Sequence, residues 1–166
     1  MTKMIKYQEV LDFWFTEIKP ESWFKRDADF DAALEARFGG AVTDALAGRL
    51  DHWADNTDGC LALIILLDQF TRNIFRQSAR AFSGDEMALA LSLRCVDRGY
   101  LDAAKVSHCH FMLMPMMTAL AQHPIVQPCQ LVYVTLEKIP ALPIKHRAVR
   151  RYWQWLHQSP TRPQER

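Results

Sequence analysis

The stretch Leu61-Ala62-Leu63-Ile64-Ile65-Leu66-Leu67-Asp68-Gln69-Phe70-Thr71-Arg72-Asn73-Ile74-Phe75-Arg76 decides how the chain folds. Its first seven residues are apolar on every side, the pattern of a helix buried at the centre of a domain rather than of a surface helix with one greasy stripe. Its second half extends the same helix with five strongly polar residues. At 100° per residue, Asp68, Gln69, Arg72, Asn73 and Arg76 fall within an arc of about 140° and share one face. Asp68 and Arg72, four apart, are spaced to pair, whereas Arg76 has no acid of its own on this helix. A guanidinium left over in this way offers a planar fork to a carboxylate or phosphate.

The flanking sequence is helical as well, and no stretch sustains the period-two alternation of a half-buried strand. Val10, Leu11, Trp14 and Phe15 predict a helix from Tyr7 to Thr16, broken at Pro20. A second helix is expected from Ala28 to Ala47 on the stripe Phe30, Leu34, Phe38, Val42 and Ala45, with Asp27 or Asp29 at its start and Gly48 at its end. Gly39-Gly40 weakens it. Asn56-Thr57-Asp58-Gly59 reads as a turn. Ser83 and Glu86 form a capping box ahead of a helix from Gly84 to Arg98. Helix is also expected from Lys105 to Gln122, kinked by Pro115, with its four methionines as gap-filling core. Beyond His123, prolines divide the chain into helices around Gln130 to Lys138 and Ile144 to Gln158. The fold class is therefore all-α, about seven helices arranged as antiparallel hairpins.

With 166 residues, 49% hydrophobic and 23% charged, the expectation is a single helical domain over 5–158, followed by a frayed basic tail at 159–166. The formal charge of +1 conceals an asymmetry. Lys138 to Arg166 holds seven basic residues and one acid, against thirteen and eighteen in the rest. A basic end attracts phosphate or an acidic partner, but no tight Lys/Arg run interleaved with aromatics argues for nucleic acid. No apolar run reaches the length of a membrane span, and Met1 to Lys6 leads into no signal-peptide core, so a cytoplasmic protein is expected.

Cys60, Cys95, Cys109 and Cys129 match neither a CxxC pair nor a zinc ribbon and read as buried thiols. Ser107-His108-Cys109-His110 looks metal-like, yet side chains two apart on a helix point to nearly opposite sides, so no metal is expected. No phosphate loop, nucleophile elbow or HExxH helix is present, and no cofactor is implied. Dense aromatics in the first third, above all Trp14 and Trp23, are candidates to wall a site beside the polar arc; core packing is their alternative role.

Several segments together resemble an uncharacterised bacterial domain-of-unknown-function family, DUF924. They are Val10-Leu11-Asp12-Phe13-Trp14-Phe15, Trp23-Phe24, Phe30-Asp31, Arg37-Phe38, the run Leu66 to Arg76, Ala81-Phe82 and Asp85. The resemblance spans roughly residues 5–117. It implies an all-helical, tetratricopeptide-like right-handed superhelix with no established activity. Two departures stand out. After Phe111-Met112-Leu113-Met114-Pro115-Met116-Met117 the family usually carries His-Ser-Glu, where this chain has Thr118-Ala119-Leu120. Near the C-terminus the family's Arg-Phe-Gly-Arg-Phe-Pro-His-Arg-Asn has its best counterpart in Arg151 to Ser159, which keeps only Arg151, His157 and aromatic character, and the family's closing helix has no counterpart.

The leading expectation is thus a binding or adaptor domain. Its site is Asp68, Gln69, Arg72, Asn73 and Arg76 with Trp14 and Trp23, and its ligand a small anionic molecule or a protein segment. The alternatives are a hydrolase-like enzyme for a small substrate, with Asp68 as base or orienter of one of the scattered histidines His52, His108, His110, His123, His146 and His157, and a degenerate paralogue that has lost activity. The competing role for the polar arc itself is to lock neighbouring helices together.

Overall fold

The computed structural model describes residues 4–121, and among them there is helix and loop but no strand. The helices expected around 130–138 and 144–158, and the tail, lie outside the described residues. The first helix, α1 (Tyr7–Asp12), passes without a break into a wider π-helical turn, Phe13–Glu17. Pro20 opens a short 3₁₀ turn, Pro20–Ser22, where its missing N–H costs nothing. Helix α2 (Ala28–Leu46) starts on Asp27, whose carboxylate accepts from the Asp29 and Phe30 amides at 3.0 and 3.1 Å. It runs through Gly39-Gly40 and ends where Gly48 takes a φ of 74°.

The central helix begins earlier than its letters suggest. Asn56 through Gly59 is not a turn: the Asn56 side chain caps α3 (Thr57–Ile64) by accepting from the Gly59 amide at 2.9 Å. Asn, Asp, Thr and Gly serve turns and helix N-termini alike, so composition alone does not separate the two. From α3 the chain continues through a second π-helical turn, Ile65–Phe70, into α4 (Thr71–Ile74). Every residue from 59 to 71 is buried. Each large aliphatic side chain in that run contributes about 1.5–3 kcal/mol by leaving water, which makes this rod the core of the first unit.

Helix α5 (Asp85–Asp97) follows a 3₁₀ turn, Ala79–Phe82. The capping box expected at its start does not form. Ser83 lies in the αR region, and its hydroxyl donates back to the Arg80 carbonyl at 2.6 Å. Gly84 stands just before α5 with its backbone against the central rod: a Cβ there would sit 2.2 Å from the Leu67 carbonyl oxygen.

By internal contacts the chain divides into two compact units, one ending at Leu91 and the next beginning at Ser92, so the division falls within α5. In the second unit, α6 (Val106–Ala121) runs through Pro115 and buries Phe111, Met112, Leu113 and Met116; of the four methionines, Met114 and Met117 are only half-buried. The hydroxyl of buried Ser92 donates to the Met112 carbonyl. His110 is also buried, and loss of hydration holds its imidazole down to a pKa of about 4, so it is neutral at physiological pH. No helix among the described residues is long and apolar enough to cross a membrane.

Candidate functional site

The π-helical turn Ile65–Phe70 has two sides. On one, the Phe70 ring lies 5.2 Å from Phe38, 5.5 Å from Trp14 and 6.0 Å from Phe13, centroid to centroid. Trp14 stacks on Trp23 at 6.3 Å, and the Trp23 indole N–H donates to the Trp14 carbonyl at 2.8 Å. Trp14 is fully buried and Trp23 6% exposed. The two tryptophans proposed as walls therefore stand in the aromatic core next to the polar arc, with their rings packed against aromatic neighbours. Outside them, Arg37 lies over the Phe13 and Phe38 rings while pairing through two bonds with Glu17.

On the other side the five polar residues divide into two groups, one built round a carboxylate and the other round a guanidinium. Asp31 of α2 organises the first. It accepts from Asn73 Nδ2 at 2.9 Å and takes Arg76 in a two-pronged pair, Nε at 2.7 Å and NH2 at 3.0 Å. The guanidinium expected to be spare is thus held from a neighbouring helix, and the Asp31 bond raises the Arg76 pKa further above its ordinary value. A pair supplied by a residue 45 positions away leaves no trace in helical spacing.

Arg72 organises the second group. Its NH1 donates to the Asp68 main-chain carbonyl at 2.6 Å and lies 3.2 Å from Asp68 Oδ1. The same guanidinium reaches Asp85, at the first turn of α5, through NH1 at 2.9 Å and NH2 at 3.1 Å. Asp68 Oδ2 accepts from Gln69 Nε2 at 2.6 Å. The expected Asp68–Arg72 pair is present, but it is shared with a second acid. Burial pushes the Asp68 carboxyl above the usual carboxylate range; Arg72 and the Gln69 bond pull it down and Asp85 pushes it up. The Phe82 ring, 60% exposed, lies 5.5 Å from the Arg72 guanidinium carbon.

Asp31 and Asp85 are the site residues that sequence reasoning passed over. The signal for them was the charge count of the arc itself: two arginines with one acid on the same face leave a positive charge that a packed interior has to match from elsewhere. Both acids stand in segments that carry the family resemblance, beside Phe30 and after Ala81-Phe82. Thr71 adds a further polar contact, its hydroxyl donating to the Leu67 carbonyl at 2.8 Å. The arrangement joins α2, the central rod and the start of α5 by charge-assisted bonds, as a helix lock does. It also leaves the two arginine side chains partly exposed, Arg72 26% and Arg76 30%.

A family model described as a bacterial protein of unknown function (DUF924) matches residues 10–153. The chain is similar to the solved structure of a protein of unknown function from Agrobacterium tumefaciens, with a TM-score of 0.66 and 27% identity over 90% of this chain and 81% of that one. No curated protein matches it.

Proposed function

Since the chain belongs to the bacterial family of unknown function DUF924, we propose that it is a cytoplasmic binding or adaptor domain. In this reading residues 5–158 form one domain whose helices, about seven, stack as a tetratricopeptide-like right-handed superhelix. The ligand is a small anionic molecule or an acidic partner segment, met at the rim of the polar network by Arg72 and Arg76. Asp68, Gln69 and Asn73 stand behind them, and Trp14 and Trp23 support that wall from the core.

One observation carries this reading. The Arg72 and Arg76 side chains stand one turn apart, have their guanidiniums paired with carboxylates, and as whole side chains are still more than a quarter exposed. A guanidinium already fixed loses little freedom when it binds. Against this works the local charge, because Asp31, Asp68 and Asp85 meet only two arginines in these groups. Binding is therefore expected to be weak unless a carboxylate is neutral or displaced.

The test is titration of the protein with inorganic phosphate and with mono- and dicarboxylates, followed by amide chemical shifts. Saturable shifts at Arg72 and Arg76 are expected, with affinity about tenfold lower, a loss on the order of 1.4 kcal/mol, in Arg76→Gln. If no anion binds, or if the variant binds as well as the parent, the cluster is a lock and not a site.

A second reading, a hydrolase-like enzyme, draws on the raised proton affinity of buried Asp68 and on its place in a π-helical turn, both features enriched at functional sites. In this chain Thr118-Ala119-Leu120 stands where the resemblance leads one to expect His-Ser-Glu, which favours binding over catalysis, or a degenerate member that has lost activity.

A further inference from the structure

Too many acceptors crowd one nitrogen of the network. Arg72 NH1 carries two hydrogens. Around it lie the Asp68 carbonyl oxygen at 2.6 Å, Asp85 Oδ1 at 2.9 Å and Asp68 Oδ1 at 3.2 Å. Both Oδ1 atoms are sealed from solvent, and among the described residues neither receives a directed hydrogen bond. Gln69 Nε2 and Arg72 NH2 each give a hydrogen to the other oxygens, Asp68 Oδ2 and Asp85 Oδ2, and neither bonds to an Oδ1. Among the described residues, then, at least one buried carboxylate oxygen has no directed hydrogen bond, an arrangement that is costly for a charged group in a low dielectric. One proton from solvent removes the difficulty, since it cancels a charge and turns an acceptor into a donor.

We propose that Asp68, Arg72 and Asp85 form a buried proton-binding site that works as a pH-sensitive clasp between the central rod and the start of α5, with Asp68 as the group that takes the proton. Asp68 is the choice because its side chain is 2% exposed and that of Asp85 27%, so ionising Asp68 forfeits more hydration. With Asp68 neutral, Arg72 belongs to Asp85 alone and the clasp is closed. With Asp68 ionised, two carboxylates compete for one guanidinium and the hold on α5 loosens.

Among the described residues, the charged groups around Asp68 come from three elements. Its own rod supplies Arg72 and the Gln69 amide, and α5 supplies Asp85. Helix α2 supplies Asp31, which is closed onto Arg76 and Asn73. The upward direction of the Asp68 pKa, driven first by burial, agrees with the hydrogen count. The clasp requires no ligand and stands whether or not the anion-binding reading holds.

Site-resolved titration of the aspartate side-chain carbons in the full chain tests it. The Asp68 midpoint should lie above the ordinary aspartate value and move down in Asp85→Asn, which removes the repelling charge and leaves Arg72 to Asp68. An acid that holds its proton more tightly folded than unfolded makes the native state bind more protons between the two midpoints. Stability is then full below the unfolded value and falls as pH rises through the folded one. The thermal midpoint of the parent should drop across that window, and that of Asp68→Asn, permanently neutral, should not. An Asp68 that titrates at or below the ordinary aspartate value overturns the proposal, as does an Asp85→Asn variant in which its midpoint stays put or rises. The parent titration decides the matter even if Asp68→Asn fails to fold.

Discussion

Phe70 and Asp68 lie two residues apart in the same π-helical turn, both are buried, and they hold the fold by opposite means. Around Phe70, aromatic rings meet at 5.2 to 6.0 Å with interplanar angles from 53° to 90°, so no single geometry is required. Around Asp68, distances of 2.6 to 3.2 Å and a fixed number of hydrogens decide what is satisfied and what is not. The first region stabilises by area and shape and tolerates variation. The second works by stoichiometry, so a single missing partner is felt through the whole group. The largest effect should follow from emptying the tolerant side. Phe70→Ala should cost about 3–5 kcal/mol in urea denaturation, while Phe70→Leu should recover more than half of that. A loss below about 1 kcal/mol, the scale of a surface change, would mean that the aromatic side is not the core.

The polar side should fail differently. Asp31→Ala removes the partner of both Arg76 and buried Asn73 and should cost about 2 kcal/mol, most of it from groups left unpaired. Removing Arg76 as well takes away one of those orphans. The double variant Asp31→Ala/Arg76→Ala should therefore lose less than the sum of its single changes, by roughly 0.5–3 kcal/mol. Additive losses would show that Asp31 and Arg76 act independently, and the contrast with the aromatic side would disappear.

The same contrast explains what the sequence discloses. Apolar spacing placed the buried run Leu61 to Leu67 and the stripe of α2, and the acids at its start offered Asp27 or Asp29, of which Asp27 is the cap, because each depends on residues close in the chain. It grouped Asp68, Gln69, Arg72, Asn73 and Arg76, but assumed 100° per residue through a turn that is π-helical, and saw one arc where two groups exist, one centred on Asp31 and one on Arg72. Asp31 and Asp85 reach the site across 45 and 13 residues, so no local periodicity reports them. Ser83 and Glu86 had the letters of a capping box, yet the close approach of Gly84 to the Leu67 carbonyl sets how α5 begins. Tertiary contact overrode local preference there.

Helix α2 serves both regions, giving Phe38 to the aromatic side and Asp31 to the polar one, and it pays for Gly39-Gly40 in its interior. Gly40 is exposed, has helical geometry, and a Cβ built on it meets nothing within 4 Å. Gly40→Ala should therefore stabilise the protein by about 0.4–1 kcal/mol, chiefly by restricting the unfolded chain. The gain should leave the aromatic and polar contacts untouched, so it should add to the Phe70→Ala and Asp31→Ala effects without coupling to either. The same substitution at Gly84, where a Cβ would fall 2.2 Å from a main-chain oxygen, should be destabilising. Opposite signs for one chemical change at two glycines would show that α2 has slack in its exposed turn while the junction of α5 with the π-helical turn has none. A stabilising Gly84→Ala would mean that this junction is loose, and that the Arg72–Asp85 contact beside it does not fix where α5 begins.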